Sequence, residues 1–177
     1  AAVHSELKGL PYEKLLPVIH ASQFAIRHTV GLLDPLVADD QPPEKRVNDG
    51  LPETLAEYVK TDGIRCFKVK VSGNPDFDIE RLSRIWDVVA SSDSPLITLD
   101  ANESYSDLAI FEQFVRRLEK ENLGLFQHIA YIEQPLPRRL TLDPETEKAI
   151  RAIAELKPLL IDEADGRIDS WPRAKRI

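Results

Sequence analysis

The chain has 177 residues, of which 42% are hydrophobic and 30% charged, a balance typical of globular proteins. Its net charge of −7 argues against a nucleic-acid partner, which normally binds a basic protein face. The single cysteine, Cys66, excludes an intramolecular disulfide and favours a location in the cytoplasm. No apolar run approaches the roughly 20 residues of a membrane span, so no membrane partner is expected.

The first fifty residues contain one predicted strand between two less regular segments. Residues 11–21 are predicted to form a short helical segment that Pro17 interrupts. The β-branched and apolar run over 24–33 predicts a strand. Residues 34–50 contain three prolines and five acidic residues, which predicts a long loop.

Strands and helices alternate from residue 51 onward. Helices are predicted over 51–63, 78–92, 106–122 and 143–156, with strands over 64–71, 95–101, 130–134 and 158–163. Pro52, Gly63, Ser106 and Asp143 are the expected boundary residues, and a short helix is expected from Ser170. This alternation predicts an α/β fold, in which a parallel sheet is connected by helical crossovers.

A charged residue ends each of the last four predicted strands. Lys70, Asp100, Glu133 and Asp162 follow one another at intervals of 30, 33 and 29 residues, about one βα unit each. In a (β/α) barrel the carboxyl ends of the strands lie side by side on one rim, and that rim carries the active site. The spacing therefore predicts that these four charges converge.

Three of the four converging residues are carboxylates, which repel one another unless a cation lies among them. Oxygen ligands without histidine or cysteine favour a hard divalent ion, and three carboxylates suit octahedral Mg²⁺. None of the four histidines falls at these strand ends, which weakens the case for zinc.

Lys68 and Lys70 lie two residues apart on a predicted strand, so their side chains point to the same face. Two neighbouring ammonium groups are expected to lower each other's pKa, and a lysine with a pKa near neutrality can act as a general base. A metal ion beside such a base can stabilise an enolate. The pattern therefore favours removal of a proton from a carbon next to a carboxylate.

Each short motif has a simpler interpretation when it is considered alone. A lysine pair can be a solvated strand face, "DAN" can be a turn, and "IEQP" can end a strand at Pro135. Only the regular spacing favours a common site. His28, Asn102 and Glu163 are weaker candidates for contacts with the substrate or with the metal ligands, and solvated loop positions explain Asn102 and Glu163 equally well.

The combination of "FKVKV", "LDANESY", "YIEQPL" and "LIDEA" resembles the enolase superfamily, and more narrowly its muconate-lactonizing and mandelate-racemase-like members. The resemblance implies a modified TIM barrel covered by a capping domain. It implies that Asp100, Glu133 and Asp162 bind Mg²⁺, that Lys70 is the acid/base residue, and that Lys68 tunes Lys70. It also implies a small-molecule carboxylate substrate.

The chain also departs from the family pattern. Residues 1–22 are expected to be the end of a capping domain or a linker, and residues 23–177 a partial barrel of about five βα units. The family's second acid/base group is expected beyond Ile177, and "DEA" stands where "DES" is more usual. We expect the missing half to be required for solubility and activity, and the full-length form to be a homo-oligomer.

The predicted function is Mg²⁺-dependent proton abstraction α to a carboxylate, giving racemisation, epimerisation or cycloisomerisation. An acid-sugar dehydratase of the same superfamily is the alternative within the family. A non-catalytic structural barrel fragment is the alternative from another class. A phosphate-binding barrel is disfavoured, because the glycine-rich loops that it requires are not found in the sequence.

Overall fold

Five parallel strands form one sheet in the computed structural model, which describes residues 5, 8–11 and 24–175, and their order in the sheet is their order in the chain. The predicted α/β fold with a parallel sheet is therefore confirmed. The strands are β1 (Arg27–Val30), β2 (Cys66–Lys70), β3 (Leu96–Asp100), β4 (Ile129–Glu133) and β5 (Leu159–Leu160).

Helices connect consecutive strands, as parallel neighbours require. They are α1 (Leu55–Asp62), α2 (Pro75–Val89), α3 (Leu108–Glu121), α4 (Leu123–His128), α5 (Arg138–Thr141), α6 (Glu147–Leu156) and α7 (Ser170–Ala174). The long loop predicted over 34–50 contains two short 3₁₀ turns, Ala38–Asp40 and Pro43–Lys45.

The two faces of the sheet have different chemistry. Phe67 and Val69 of β2 are fully buried in the hydrophobic core, which also includes Leu82 and Ile85 of α2. Lys68 alternates with these residues, so it points to the opposite, polar face. The apolar face of the sheet therefore packs against the helices, and the opposite, polar face is available to form a functional site.

Helix boundaries differ from prediction where a side chain outside the periodic pattern caps the helix. Helix α2 begins at Pro75 because Asn74 accepts hydrogen bonds from the backbone N–H groups of Asp76 and Phe77. Helix α3 is capped by Asp107, so the prediction of Ser106 was wrong.

The segment between β4 and α6 also differs from prediction. Helix α6 begins at Glu147, because Asp143 binds the N–H of Glu145 within a turn and does not cap a helix. The short helices α4 and α5 were not predicted, because each has fewer residues than two turns and shows no periodicity.

Strand β5 is much shorter than the predicted span of 158–163. It ends at Leu160, and a 3₁₀ turn follows over Glu163–Asp165. The backbone N–H groups of Asp162 and Ala164 bind the side chain of Gln134, so they are not available to a neighbouring strand. Asp162 therefore lies in a loop beyond the strand.

The N-terminal predictions are tested only in part. The predicted strand over 24–33 is confined to β1, and the predicted helical segment over 11–21 falls almost entirely outside the described residues. The division into residues 1–22 and 23–177 stays a prediction. No helix in the described part of the chain has the length and apolar character needed to cross a membrane.

Candidate active site

The register of the sheet aligns three of the four predicted strand-end charges. Lys70 is the partner of Asp100 across β2 and β3, and Asp100 is the partner of Glu133 across β3 and β4. All three are the last residues of their strands. The parallel topology thus brings one lysine and two carboxylates into a single row at the carboxyl edge of the sheet.

The two lysines bridge the two carboxylates. Lys68 Nζ lies 2.7 Å from Asp100 Oδ2 and 2.9 Å from Glu133 Oε1. Lys70 Nζ donates to the same Asp100 oxygen over 2.6 Å. The side chain of Asp100 is 1% exposed and that of Glu133 is 8% exposed, whereas Lys70 is 30% exposed. The carboxylates therefore form the buried floor of the site, and Lys70 is accessible from solvent.

The carboxylates reverse the pKa shift expected for Lys68. Burial lowers the pKa of Lys68, but its bonds to Asp100 and Glu133 more than offset that effect, and the net pKa is raised. Burial likewise raises the pKa of Asp100, and the two lysines outweigh it, so the net pKa is lowered. The prediction that repulsion depresses the Lys68 pKa was wrong, because it omitted the carboxylates in the adjacent strands.

Asn102 and Glu163 extend the polar network to the loop beyond β5. Lys70 Nζ donates to Asn102 Oδ1, and Asn102 Nδ2 donates to Glu163 Oε1 over 2.8 Å. The second oxygen of Glu163, Oε2, is buried without a hydrogen-bond partner among the described residues. A buried carboxylate oxygen without a donor is costly unless a cation or a polar ligand reaches it.

Asp162 lies outside the row formed by Lys70, Asp100 and Glu133. Its side chain is exposed, two residues past the end of β5. Within residues 24–175 and the few described before them, no cluster of three or more histidine, cysteine or acidic side chains is arranged to hold a metal ion. The structure therefore brings Asp100 and Glu133 together, and the role of Asp162 as a third ligand stays a prediction.

The oxygens at this edge suit a hard cation. Asp100 and Glu133 already converge on one ammonium group, that of Lys68, and Glu163 Oε2 lacks a donor in the described part of the chain. All these atoms are carboxylate oxygens, which is the donor chemistry of Mg²⁺. These side chains would therefore hold such a cation at the carboxyl edge of the sheet.

His28 lies on the helix side of the sheet, away from the two lysines. It is the register partner of Phe67, and its ring packs on Tyr58 of α1 with ring centroids 4.2 Å apart. The structure does not bring His28 to the polar edge, because adjacent residues of a strand point to opposite faces.

The position of His28 predicts a pH dependence of stability. Burial lowers the pKa of His28 below its ordinary value, despite the nearby Asp34 and Asp62. The unfolded chain then binds more protons than the folded chain just below the ordinary histidine pKa of about 6.5. Stability is therefore expected to fall as the pH is lowered through this range. Denaturant unfolding at several pH values should show that the free energy of unfolding falls less in His28→Phe than in the wild type. An identical dependence of this free energy on pH in the two proteins would contradict the prediction.

A second polar row lies two residues before the strand ends, and of its members Lys68 was predicted as a site residue whereas Thr98 and Tyr131 were not. Lys68, Thr98 and Tyr131 are register partners across β2, β3 and β4. Arg27 Nη1 donates to the Tyr131 hydroxyl over 2.6 Å and to Thr98 Oγ1 over 3.3 Å. The signal was available, because Thr98 and Tyr131 each precede a predicted site residue by two positions.

A family model described as enolase C-terminal domain-like matches residues 50–171. The D-Ala-D/L-Ala epimerase of Cytophaga hutchinsonii is 32% identical over 110 residues, which are 62% of this chain and 26% of that protein.

Two solved structures resemble the chain in fold. One is a dipeptide epimerase from Cytophaga hutchinsonii complexed with Mg and the dipeptide D-Ala-L-Val (TM-score 0.52, 25% identity, 68% of this chain and 29% of that chain). The other is a dipeptide epimerase from Methylococcus capsulatus complexed with Mg ion (TM-score 0.50, 29% identity, 79% of this chain and 33% of that chain).

The family model covers more than half of the chain, whereas the matches to the relatives extend over only part of each relative. The chain spans between about a quarter and a third of the length of these relatives. The predicted fold class, the first βα units of a TIM-type barrel in the enolase superfamily, is confirmed. The chain belongs to the enolase C-terminal domain-like family.

Proposed function

We propose that this chain forms the Mg²⁺-binding and proton-transfer part of a racemase or epimerase that removes the proton α to a carboxylate. The observation that carries the proposal is the buried junction of Asp100 with Lys68 and Lys70 at the carboxyl edge of the sheet. Acidic and basic groups so arranged can bind a cation and accept a proton within one small volume.

The proposed roles of the site residues other than Asp162 follow from burial and contacts, and that of Asp162 follows from the family resemblance. Asp100, Glu133 and Asp162 would hold Mg²⁺. When bound, Mg²⁺ supplies positive charge that stabilises the negative charge developing on the substrate carboxylate. Lys70 is the more accessible lysine, so it is assigned to accept the α-proton at Nζ. Lys68 is held deeper by two carboxylates and is assigned to keep Lys70 and the substrate carboxylate in place.

The relatives favour a dipeptide as the substrate. Two of the solved relatives are dipeptide epimerases, and one of them is complexed with Mg and D-Ala-L-Val. We therefore propose epimerisation of a dipeptide, or of a comparable small carboxylate. Cycloisomerisation and dehydration of an acid sugar begin with the same proton abstraction, so chiral analysis of the product distinguishes epimerisation from these two reactions.

A metal titration of the full-length protein tests the proposal. If the folded form alone binds Mg²⁺, a concentration of about 100 times the Kd should raise the free energy of unfolding by about 2.7 kcal/mol. Glu133→Gln keeps the size of the side chain and removes its charge, so it is expected to abolish most of this stabilisation. Denaturant unfolding with and without Mg²⁺ measures the effect.

The control for the titration is Glu112→Gln, because Glu112 lies on the solvent side of α3 in a surface pair with Arg116. This variant should keep the full stabilisation by Mg²⁺. Equal stabilisation of the wild type and Glu133→Gln would show that the metal binds elsewhere. An absence of any stabilisation in the wild type would favour the non-catalytic alternative.

A further inference from the structure

Gln134 directly follows Glu133, and its side chain is completely buried. We propose that Gln134 is a positioning residue that fixes the backbone of Asp162, so that the Asp162 carboxylate can bind the metal together with Glu133. This inference rests on the proposed function. It concerns a residue with no acid/base or metal-binding role of its own.

The side-chain amide of Gln134 makes four hydrogen bonds in two directions. Its Oε1 accepts from the backbone N–H of Asp162 over 2.9 Å and from that of Ala164 over 3.0 Å. Its Nε2 donates to the carbonyl of Leu136 over 2.8 Å and to Thr141 Oγ1 over 3.0 Å. Two donors face the oxygen and two acceptors face the nitrogen, so a single orientation of the amide satisfies every group.

The backbone of Gln134 is also held in an uncommon conformation. Its φ of 37° lies in the left-handed region, which costs about 1–2 kcal/mol per residue for side chains other than glycine. The N–H of Gln134 donates to the Leu160 carbonyl over 2.8 Å, and its carbonyl accepts from the N–H of Glu103 over the same distance. Such strain persists only where the surroundings over-determine it, and it concentrates at functional sites.

These contacts connect the end of β4 to the segment that carries Asp162. The Gln134 amide holds the N–H on each side of Glu163, whereas the Asp162 carboxylate is exposed and accepts no hydrogen bond from the described residues. The backbone of Asp162 is therefore fixed beside the end of β4, and its carboxylate has no competing donor among the described residues. A residue that orients a ligand in this way typically changes metal affinity by about 10–100-fold when it is replaced.

The experiment measures the affinity of the full-length protein for Mn²⁺, by calorimetry and by electron paramagnetic resonance of the bound ion. Gln134→Met has a similar volume and cannot hold the two N–H groups, so its Kd is expected to rise by about 10–100-fold. Gln134→Asn retains an amide but is one methylene shorter, so it should weaken binding in the same direction. It also provides a second folded variant if Gln134→Met does not fold.

Thr141→Val is the matched control, because it removes one partner of Nε2 and leaves both bonds of Oε1 in place. Its Mn²⁺ affinity should remain close to that of the wild type, even if its melting temperature falls. If Gln134 contributed only to stability, Gln134→Met and Thr141→Val would lose Mn²⁺ affinity in the same proportion to their fall in melting temperature.

A double-mutant cycle with Asp162→Asn provides the decisive comparison. If Gln134 acts through Asp162, the Gln134→Met, Asp162→Asn double variant should bind Mn²⁺ as weakly as Asp162→Asn alone. Wild-type affinity in Gln134→Met and Gln134→Asn, or fully additive losses in the cycle, would overturn the inference and leave the proposed function standing. An absence of Mn²⁺ binding in the wild type would instead overturn the proposed function.

Discussion

Replacement of Lys70 by alanine in the full-length protein is expected to slow exchange of the substrate α-proton with solvent by at least about 100-fold. A positioned general base typically contributes about 10²–10⁴-fold to proton transfer, and Lys70 is the accessible amine of the site. Incorporation of deuterium from D₂O into a dipeptide, the proposed substrate, followed by proton NMR in the presence of Mg²⁺, measures the rate. Mg²⁺ affinity should change little, because Lys70 is not a metal ligand.

Lys70→Arg separates the charge of the residue from its proton transfer. Arginine keeps a cation beside Asp100, but its guanidinium is not deprotonated at neutral pH and cannot serve as the base. This variant should therefore exchange as slowly as Lys70→Ala. Lys60→Ala, on the exposed surface of α1, should exchange at the wild-type rate. Exchange in Lys70→Arg within about threefold of the wild type would remove Lys70 from the proposed role.

The alignment of Lys70, Asp100 and Glu133 could be predicted from the sequence because it follows from two local regularities. Apolar runs define the strands, and in a parallel sheet each strand contributes its carboxyl end to the same edge. The predicted spacing therefore determined which side chains meet, without knowledge of any individual contact. Asn102 and Glu163, which were weak candidates, join the same network because they follow β3 and β5 by a few residues.

The position of Asp162 could not be predicted in this way, because a non-local contact determines where β5 ends. The bonds from Gln134 to Asp162 and Ala164 join residues 28 and 30 positions apart. No pattern within "PLLIDEA" encodes them. The left-handed backbone of Gln134 is equally invisible in the sequence, since it is maintained by tertiary hydrogen bonds and not by a glycine.

The pKa of Lys68 illustrates a different limit of sequence analysis. The repulsion between Lys68 and Lys70 is a property of one strand and is visible in "KVK". The opposing attraction depends on distances of 2.7 and 2.9 Å to Asp100 and Glu133 on two other strands. The sign of the pKa shift depends on which effect is larger, and only the assembled sheet determines this.

A buried carboxylate connects the loops that follow β2 and β3, and it was not predicted. The Asp78 side chain accepts from the Ser72 N–H over 2.7 Å, from the Ser72 hydroxyl over 2.8 Å and from the Gly73 N–H over 3.0 Å. The Tyr105 hydroxyl donates to it over 2.8 Å. Burial and the negative charge of Asp78 raise the pKa of Tyr105, so this hydroxyl remains protonated and continues to donate.

The same two loops are also in close backbone contact. A Cβ atom at Gly73, where φ is +84°, would lie 2.3 Å from the Ser104 carbonyl oxygen. Only glycine fits this position, and the contact joins the loop after Lys70 to the loop after Asp100. Asp78 therefore holds the two segments that leave the candidate active site.

Asp78→Ala is expected to reduce the free energy of unfolding by at least about 3 kcal/mol. The change removes the acceptor of the buried Tyr105 hydroxyl and of the partly buried Ser72 and Gly73 N–H groups, and a hydrogen bond to a charged group contributes about 1.5–3 kcal/mol. Asp76→Ala, in the same first turn of α2, is the matched control. It removes an equal charge from a side chain that is 86% exposed and pairs with Arg117, so it should change stability little.

Urea unfolding of the two variants and the wild type checks this prediction. It also tests whether the burial of the Asp78 side chain explains the difference in stability between the two variants. Asp76 and Asp78 lie two residues apart on one helix, so helix propensity and net charge change equally in both variants. A large loss of stability confined to Asp78→Ala would then arise from the donors in the two loops that lose their acceptor. Equal losses would mean that the negative charge at the beginning of α2 stabilises the helix in both cases, and that the hydrogen bonds to Asp78 contribute little.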